Sequence, residues 1–377
     1  MTDTTVKFFT SAMNSAPTLP YTAGSLIAIL DACLVNGFGS VTASSAVISN
    51  GVCTLTFGST HSFLQSTVAL VSGITSSGYT SLNAEQKVTS ITSTSISFAT
   101  TLADATLTGT ISAKLAPAGW TKAFSGTNLA AYKSSSIAAT GFYLRVDDTT
   151  TYYAGVRGYE SMTDVSTGTN AFPTTSQQST LIWQKYSATS GNAQWAIYAD
   201  DQMVYFWVAS IYGNATQGIV YCFGDFLPKK SGDAYRCVLA ADTTTNMSGE
   251  TTYQPIATQA PFYGYSYAPR SYAAIGSPVS MTRTWLGGNS ISGTSGWVFP
   301  NGPDNGIYPT QIFLLENSHV RGQFPGVYAS PQATGQSIAD QYVFSNVSSL
   351  SRDLVYRWTN VGNAGGVYFD LTGPWEH

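Results

Sequence analysis

Two acid pairs, Asp147-Asp148 and Asp200-Asp201, are the residues of this chain whose type and spacing come nearest to chemistry. Cleavage of a glycosidic bond needs two carboxylates facing it. Both pairs, however, stand where an alternating run gives way to a turn. An aspartate is favoured there because its side chain accepts hydrogen bonds from nearby backbone amides. A turn role is therefore the expectation for both. His61, in Ser59-Thr-His-Ser-Phe63, and His319, in Glu316-Asn-Ser-His319, have no second His or Cys at ligand spacing, so no metal site is expected. With three histidines in all, His377 being the third, and no GxSxG, phosphate-loop or dinucleotide motif, nucleophilic catalysis finds little support. The chain reads as a non-enzyme without a cofactor.

The most suggestive surface candidate is aromatic. Phe262, Tyr263, Tyr265, Tyr267 and Tyr272 cluster around Arg270. Aromatic faces beside a planar donor suit a subunit interface or contact with a glycan. Packing within a loop core is the alternative. The run Arg321-Gly-Gln-Phe-Pro-Gly-Val-Tyr328 reads as a rigid turn, in which Gly and Pro are backbone devices. Its arginine is expected to pair with a carboxylate or a carbonyl.

The elements that must position these residues come from an unusual composition. Only 10% of the residues are charged, against roughly 25% in an ordinary soluble domain. Ser and Thr supply 94 residues and the aromatics 49, so hydroxyls, amides and glycines must keep the surface wet. Such a surface tolerates burial against other chains. The 43% hydrophobic fraction excludes general disorder. A net charge of −4, with no basic cluster larger than Lys229-Lys230, argues against nucleic acid as a partner. Cys33, Cys53, Cys222 and Cys237 are compatible with two disulfides by count. Their spacing lacks a secreted framework, so buried free thiols and synthesis in a reducing cytoplasm are expected. The start of the chain lacks the basic residues and apolar run of a secretion signal. Leu26–Leu30 is too short to cross a bilayer, so no membrane insertion is expected and release by lysis would serve.

With 377 residues, two or three domains are expected. Residues 1–37 hold a helix, Ala23 to Val35, whose Leu26, Ile27, Leu30, Cys33 and Leu34 share one face, with Gly37 as C-cap. This segment is expected to join the main β domain. Residues 38–115 read as an inserted small β domain: 31 of these 78 residues are Ser or Thr, and Pro, Trp and Arg are missing. Val52–Phe57, Thr67–Val71, Ser95–Phe98 and Leu107–Ile111 alternate as strands do. Residues 116–240 form the main aromatic-rich β domain, with a hairpin pairing Trp195–Tyr198 and Met203–Val208. Residues 241–377 form a loop-rich C-terminal β region. The fold class is mainly β: β-sandwich or barrel modules with one N-terminal helix.

Several segments together resemble a family of tailed-bacteriophage virion structural proteins. They are Gly24–Gly39, Ala116–Asn128, Leu144–Asp148, Arg157–Met162, Phe223–Phe226 with Gly232–Tyr235, and Asp370–Trp375. The 38–115 module resembles a β domain that recurs in phage tail and decoration proteins. The resemblance implies a non-enzymatic structural role in the virion, with other virion proteins and copies of the chain itself as partners. Tail, baseplate or fibre association is the expected place. A head or neck decoration protein is the first alternative, and a glycan-binding or glycan-cleaving tailspike the second. A tailspike would favour long β-solenoid patterning, which is not seen.

Overall fold

In residues 38–115 apolar side chains alternate with Ser and Thr, and a period of two sends them to opposite faces of a strand. Val52–Phe57 turns Cys53, Leu55 and Phe57 inward, and Ser95–Ala99 does the same with Ile96 and Phe98. The outward hydroxyls meet across strands: Thr54 Oγ1 lies 2.9 Å from Ser97 Oγ, and Ser72 Oγ lies 3.0 Å from Ser112 Oγ. The computed structural model describes residues 3–185, 191–211, 214–243, 256, 264–285, 297–298, 306–330, 332–333, 338–347, 350–359 and 366–377. In it the module is an antiparallel sheet. Its order is Glu85–Lys87, Val68–Ser72, Ser112–Leu115, Phe38–Ser49, Val52–Phe57, Ser95–Ala99, Ser90–Ile91, with Ala105–Thr106 beside Phe38–Ser49. Phe38–Ser49 pairs with Ser112–Leu115 at its start and with Val52–Phe57 further on, and the register shifts between Ala43 and Ser45. Such a bulge bends a strand.

One expected strand fails. Leu107–Ile111 connects Ala105–Thr106 to Ser112–Leu115 without pairing as a strand, although Leu107 and Ile111 are both buried. Alternation there reported burial, not a ladder. The chain enters and leaves the module side by side, since Phe38 and Leu115 are register partners. At the entry Gly37 has φ 70°, and a Cβ there would fall 2.2 Å from the Leu115 carbonyl oxygen, so only glycine fits.

The helix is Ser25–Leu30 continued by a wider π turn, Asp31–Asn36. Leu26, Ile27, Leu30, Cys33 and Leu34 are all buried, as their spacing predicts. Strand Lys7–Thr10 pairs with Trp195–Ala199, which ties this segment to the main sheet.

Beyond Pro117 the central strands are buried on both faces: every residue of Trp195–Ala199 and of Cys237–Asp242 is buried. The predicted hairpin forms, with Trp195 opposite Val208 and Ala199 opposite Val204. Met203–Ile211 pairs in turn with Asn214–Asp225, and that strand with Cys237–Asp242. Trp183, Trp195, Trp207, Tyr198, Tyr205 and Tyr221 are fully buried. Rings of this size fill a sheet core only if their polar ends find partners. They do: Trp183 Nε1 donates to the Ala240 carbonyl at 3.0 Å, Trp207 Nε1 to that of Trp358 at 2.8 Å, and Tyr205 Oη to that of Pro325 at 2.7 Å.

The boundary drawn at 240 is not a break in the structure. It falls inside strand Cys237–Asp242, which carries the sheet on into Gly264–Ala268, Val279–Thr284, Thr310–Glu316 and His319–Ala329. Tyr198 also stacks on Phe369 at 4.1 Å, so residues from both sides share one core. The four cysteines are free and buried. Among the described residues, no helix is long and apolar enough to cross a membrane.

Candidate functional site

The two acid pairs divide their work by strand geometry. Asp147, the last residue of strand Tyr143–Asp147, faces out and accepts a hydrogen bond from the Thr149 hydroxyl at 2.7 Å, the expected turn role. Asp148 faces in and corrects that expectation. Its Oδ2 accepts the backbone N–H groups of Leu26 (2.8 Å) and Ile27 (3.1 Å), so it caps a helix that begins 123 residues earlier at Ser25. Its Oδ1 receives Lys185 Nζ at 2.5 Å, and the same ammonium donates to the carbonyls of Thr22 and Thr150. Both side chains are shut off from solvent. Burial pushes the Asp148 carboxyl up and the Lys185 ammonium down, and their mutual hydrogen bond opposes both shifts. Alternation along the strand was the available signal for an inward Asp148; nothing local marks Lys185 as its partner.

Asp200 does hold a turn, accepting the backbone N–H groups of Gln202 (2.9 Å) and Met203 (2.8 Å). Its other oxygen lies 2.6 Å from His377 Nε2, while His377 Nδ1 lies 2.9 Å from the Asp225 carbonyl. Two acceptors on one imidazole favour the doubly protonated ring. Burial pulls the His377 pKa down, but Asp200 and Asp225 together raise it above the ordinary value. His61 Nε2 approaches the carbonyls of Thr92 and Ser95, and its ring packs on Phe57 and Phe63. His319 meets the carbonyl of Asn317. Among the described residues no group of three His, Cys, Asp or Glu is arranged to hold a metal ion.

The aromatic cluster separates into parts. Phe262 and Tyr263 lie outside the described residues. Tyr265 and Tyr267 are not on a loop but on strand Gly264–Ala268, stacked on each other at 6.0 Å. Tyr267 is buried and Tyr265 packs against the core. For these two the packing role holds, because pairing with Leu239 and Ala241 turns them into the sheet. Arg270 is engaged by Glu160 through two bonds of 2.6 and 2.8 Å and lies over the Tyr235 ring. Within this cluster Tyr272 alone of the described rings is exposed, at 41%.

Arg321 organises the ground beneath it. Its fork grips Asp233 at 2.9 and 3.0 Å, and it also donates to Glu316 and to the carbonyls of Arg270 and Tyr235. The expected carboxylate and carbonyl partners are both present. This one guanidinium ties together the turn after Pro228, the end of strand Gly264–Ala268 and the hairpin of Thr310–Glu316 with His319–Ala329. Bidentate pairing of this kind fixes geometry as well as charge. Above it lies a hollow of about 480 Å³, lined by Lys229, Lys230, Tyr272, Glu316, His319 and Val320 among others. Glu316 receives the Tyr272 backbone N–H at 3.1 Å, and Lys230 Nζ sits 4.9 Å from the ring centroid. Val320 is 43% exposed, and Ile275, in the same turn as Tyr272, 70%. The arrangement offers apolar contact and an exposed cation on a floor tied together by Arg321. It suits docking, and no paired acids face each other across it.

No protein-family model matches the chain, and no curated protein matches it.

Proposed function

We propose that this protein is a non-enzymatic structural component of a tailed-phage virion, present in several copies in the tail. The observation that carries the reading is the Tyr272 hollow: exposed Tyr272, Ile275 and Val320 on a floor locked by Arg321, on a molecule with few surface charges. Aromatic and aliphatic groups on a rigid base are the kind of anchor that dominates interface energetics. Lys229 and Lys230 on the wall of the hollow favour an acidic neighbour, since covering them unpaired would carry the desolvation penalty of buried ions. Three of the segments behind the phage resemblance also hold the body together. Gly24–Gly39 contains the capped helix, Leu144–Asp148 supplies its cap, and Asp370–Trp375 brings Trp375 against Tyr205. A likeness seated in such segments concerns the fold rather than its decoration.

Antibody against the purified protein, applied to intact particles from the producing culture, tests the reading. Regular labelling of tails is expected. Labelling of heads or necks would overturn the location and keep the class. Protein found only free in the lysate, with unlabelled particles, would overturn both. Tyr272→Ala is expected to lower incorporation several-fold while the protein remains folded.

A further inference from the structure

A second depression lies on the outer face of the main sheet, away from the Tyr272 hollow. We propose that it is a binding site for an acidic saccharide, one pyranose unit carrying a carboxylate. It runs across three paired strands: Tyr143–Asp147, Tyr153–Met162 and Ile182–Gln184. Gly155 is its floor, since it stands in register between Asp147 on one side and Ile182 on the other. Where a side chain would rise from the sheet there is none, and a depression of about 360 Å³ results. That size lies in the small-molecule range of roughly 300–1,000 Å³ and suits a sugar ring with room for a linkage.

The walls are polar and unevenly charged. Arg145 and Arg157 are register partners on the same face, two guanidiniums directly across a strand pair. Like charges so placed repel. Each is only partly answered. Arg145 Nε donates to the Val165 carbonyl, and its contact with Asp147 is a long 3.4 Å. Arg157 donates to the carbonyls of Pro173, Gln178 and Ser179, and among the described residues no carboxylate forms an ion pair with it. Burial, and to a lesser degree the charge of Arg145, lower the Arg157 pKa. The one aspartate therefore answers Arg145 alone, and the site is short of one negative charge.

The rest of the lining argues against a bare inorganic anion. Asp147 would repel a phosphate, yet it accepts hydroxyl donors well, as its bond to Thr149 shows. Thr150 and Thr180 line the same walls, and the Tyr153 ring, braced edge-on against Tyr152 at 4.8 Å, closes one end. A ligand with one carboxylate for the arginines, several hydroxyls for the aspartate and threonines, and an apolar ring face for the tyrosine is a sugar acid. The inference concerns the purified protein and is independent of any place in a particle.

Ligand-observed NMR on the full chain tests it, with glucuronic acid, glucose and inorganic phosphate as probes. Saturation transfer to glucuronic acid is expected, with markedly weaker transfer to glucose and no displacement by equimolar phosphate. Arg145→Gln should weaken glucuronic acid binding by about tenfold, the order of one lost charge-assisted bond. Arg157→Gln risks loosening the 173–179 segment, so the decisive variant is Gly155→Thr. A Cβ at Gly155 meets nothing closer than Asp147 Cβ at 3.6 Å, so the added side chain fills the depression without disturbing the strand. It should abolish binding and leave the melting temperature unchanged or raised. Binding that survives Gly155→Thr, or phosphate that competes as well as glucuronic acid, would overturn the proposal.

Discussion

The sheet of residues 38–115 and the body that carries it handle polar groups in opposite ways. On the strands of the sheet most polar side chains are hydroxyls and stand outside, paired across strands as Thr54 with Ser97 and Ser72 with Ser112. In the body, charged groups go inside: Asp148 with Lys185, Asp233 with Arg321, and Asp242 near Arg283 are all buried. Among the described residues the only charged group buried in 38–115 is Lys87, and it reaches out of the sheet to the Leu371 carbonyl at 2.5 Å. The chain is poor in charge, and part of that small stock lies in the interior. Its outer surface is therefore poorer still than the composition suggests. The internal pairs fix distant segments in place, whereas the sheet relies on alternation alone.

The largest test of that contrast is the helix cap. Asp148→Leu leaves Lys185 buried without its carboxylate and the first helical N–H groups without an acceptor. A loss of about 3–5 kcal/mol is expected, measured by denaturant unfolding. The double variant Asp148→Leu/Lys185→Met should recover a large part of it, since both desolvated charges are then gone. A single variant close to neutral would break the claim that internal charge organises the body.

Removing the sheet is the next test. Joining Gly37 to Ala116 across the adjacent crossings should leave a body that melts cooperatively, a few degrees lower for lack of the Phe9–Phe38 packing, the Lys7–Glu85 ion pair and the Lys87 bond. Loss of cooperative melting in the calorimeter would make the two regions one unit instead.

The contrast should also appear in pH dependence. Burial raises Asp242 to about 7, against the hydrogen bond from Tyr221 and the charge of Arg283. A folded pKa above the unfolded value means that the folded state holds a proton the unfolded chain has released. Stability from Asp242 is then fully present below about pH 4 and is lost as pH rises through about 7. His377, also raised, works in the same direction from about pH 6.5 upward. Asp242→Asn should flatten the fall in melting temperature between pH 4 and 7. An unchanged slope would show that the carboxyl is not held protonated.

Local rules carried the reading of the sequence where one periodicity decides the outcome. The strands at Val52–Phe57 and Ser95–Ala99, the apolar face of the helix and the Trp195–Val208 hairpin follow from spacing within a few residues. Spacing failed where partners come from far along the chain. Asp148 resembled a turn residue because its helix and its lysine lie at other places in the chain. Tyr265 and Tyr267 resembled a loop cluster because the Ser, Gly and Pro around them are turn formers, and only pairing with Cys237–Asp242 draws them into a strand. The Gly155 depression was hidden for the same reason: its two arginines meet only through strand register.

The smallest expected effect tests the other half of the contrast. If alternation holds the 38–115 sheet, its outer hydroxyl pairs contribute little, because each exchanges one hydrogen bond for another with water. Thr54→Val with Ser97→Val removes both partners at once and leaves neither donor nor acceptor stranded. Valine also suits a strand at least as well as threonine or serine. Unfolding of the double variant should stay within about 0.5 kcal/mol of the parent, the usual range for surface substitutions. Solubility should fall instead, since two apolar side chains now stand side by side on a face that hydroxyls kept wet. A loss of roughly 2 kcal/mol or more, well above the ~1 kcal/mol of one ordinary hydrogen bond, would mean that the hydroxyl pairs are structural links in their own right. The sheet would then depend on specific polar contacts just as the body does, with oxygen in place of charge.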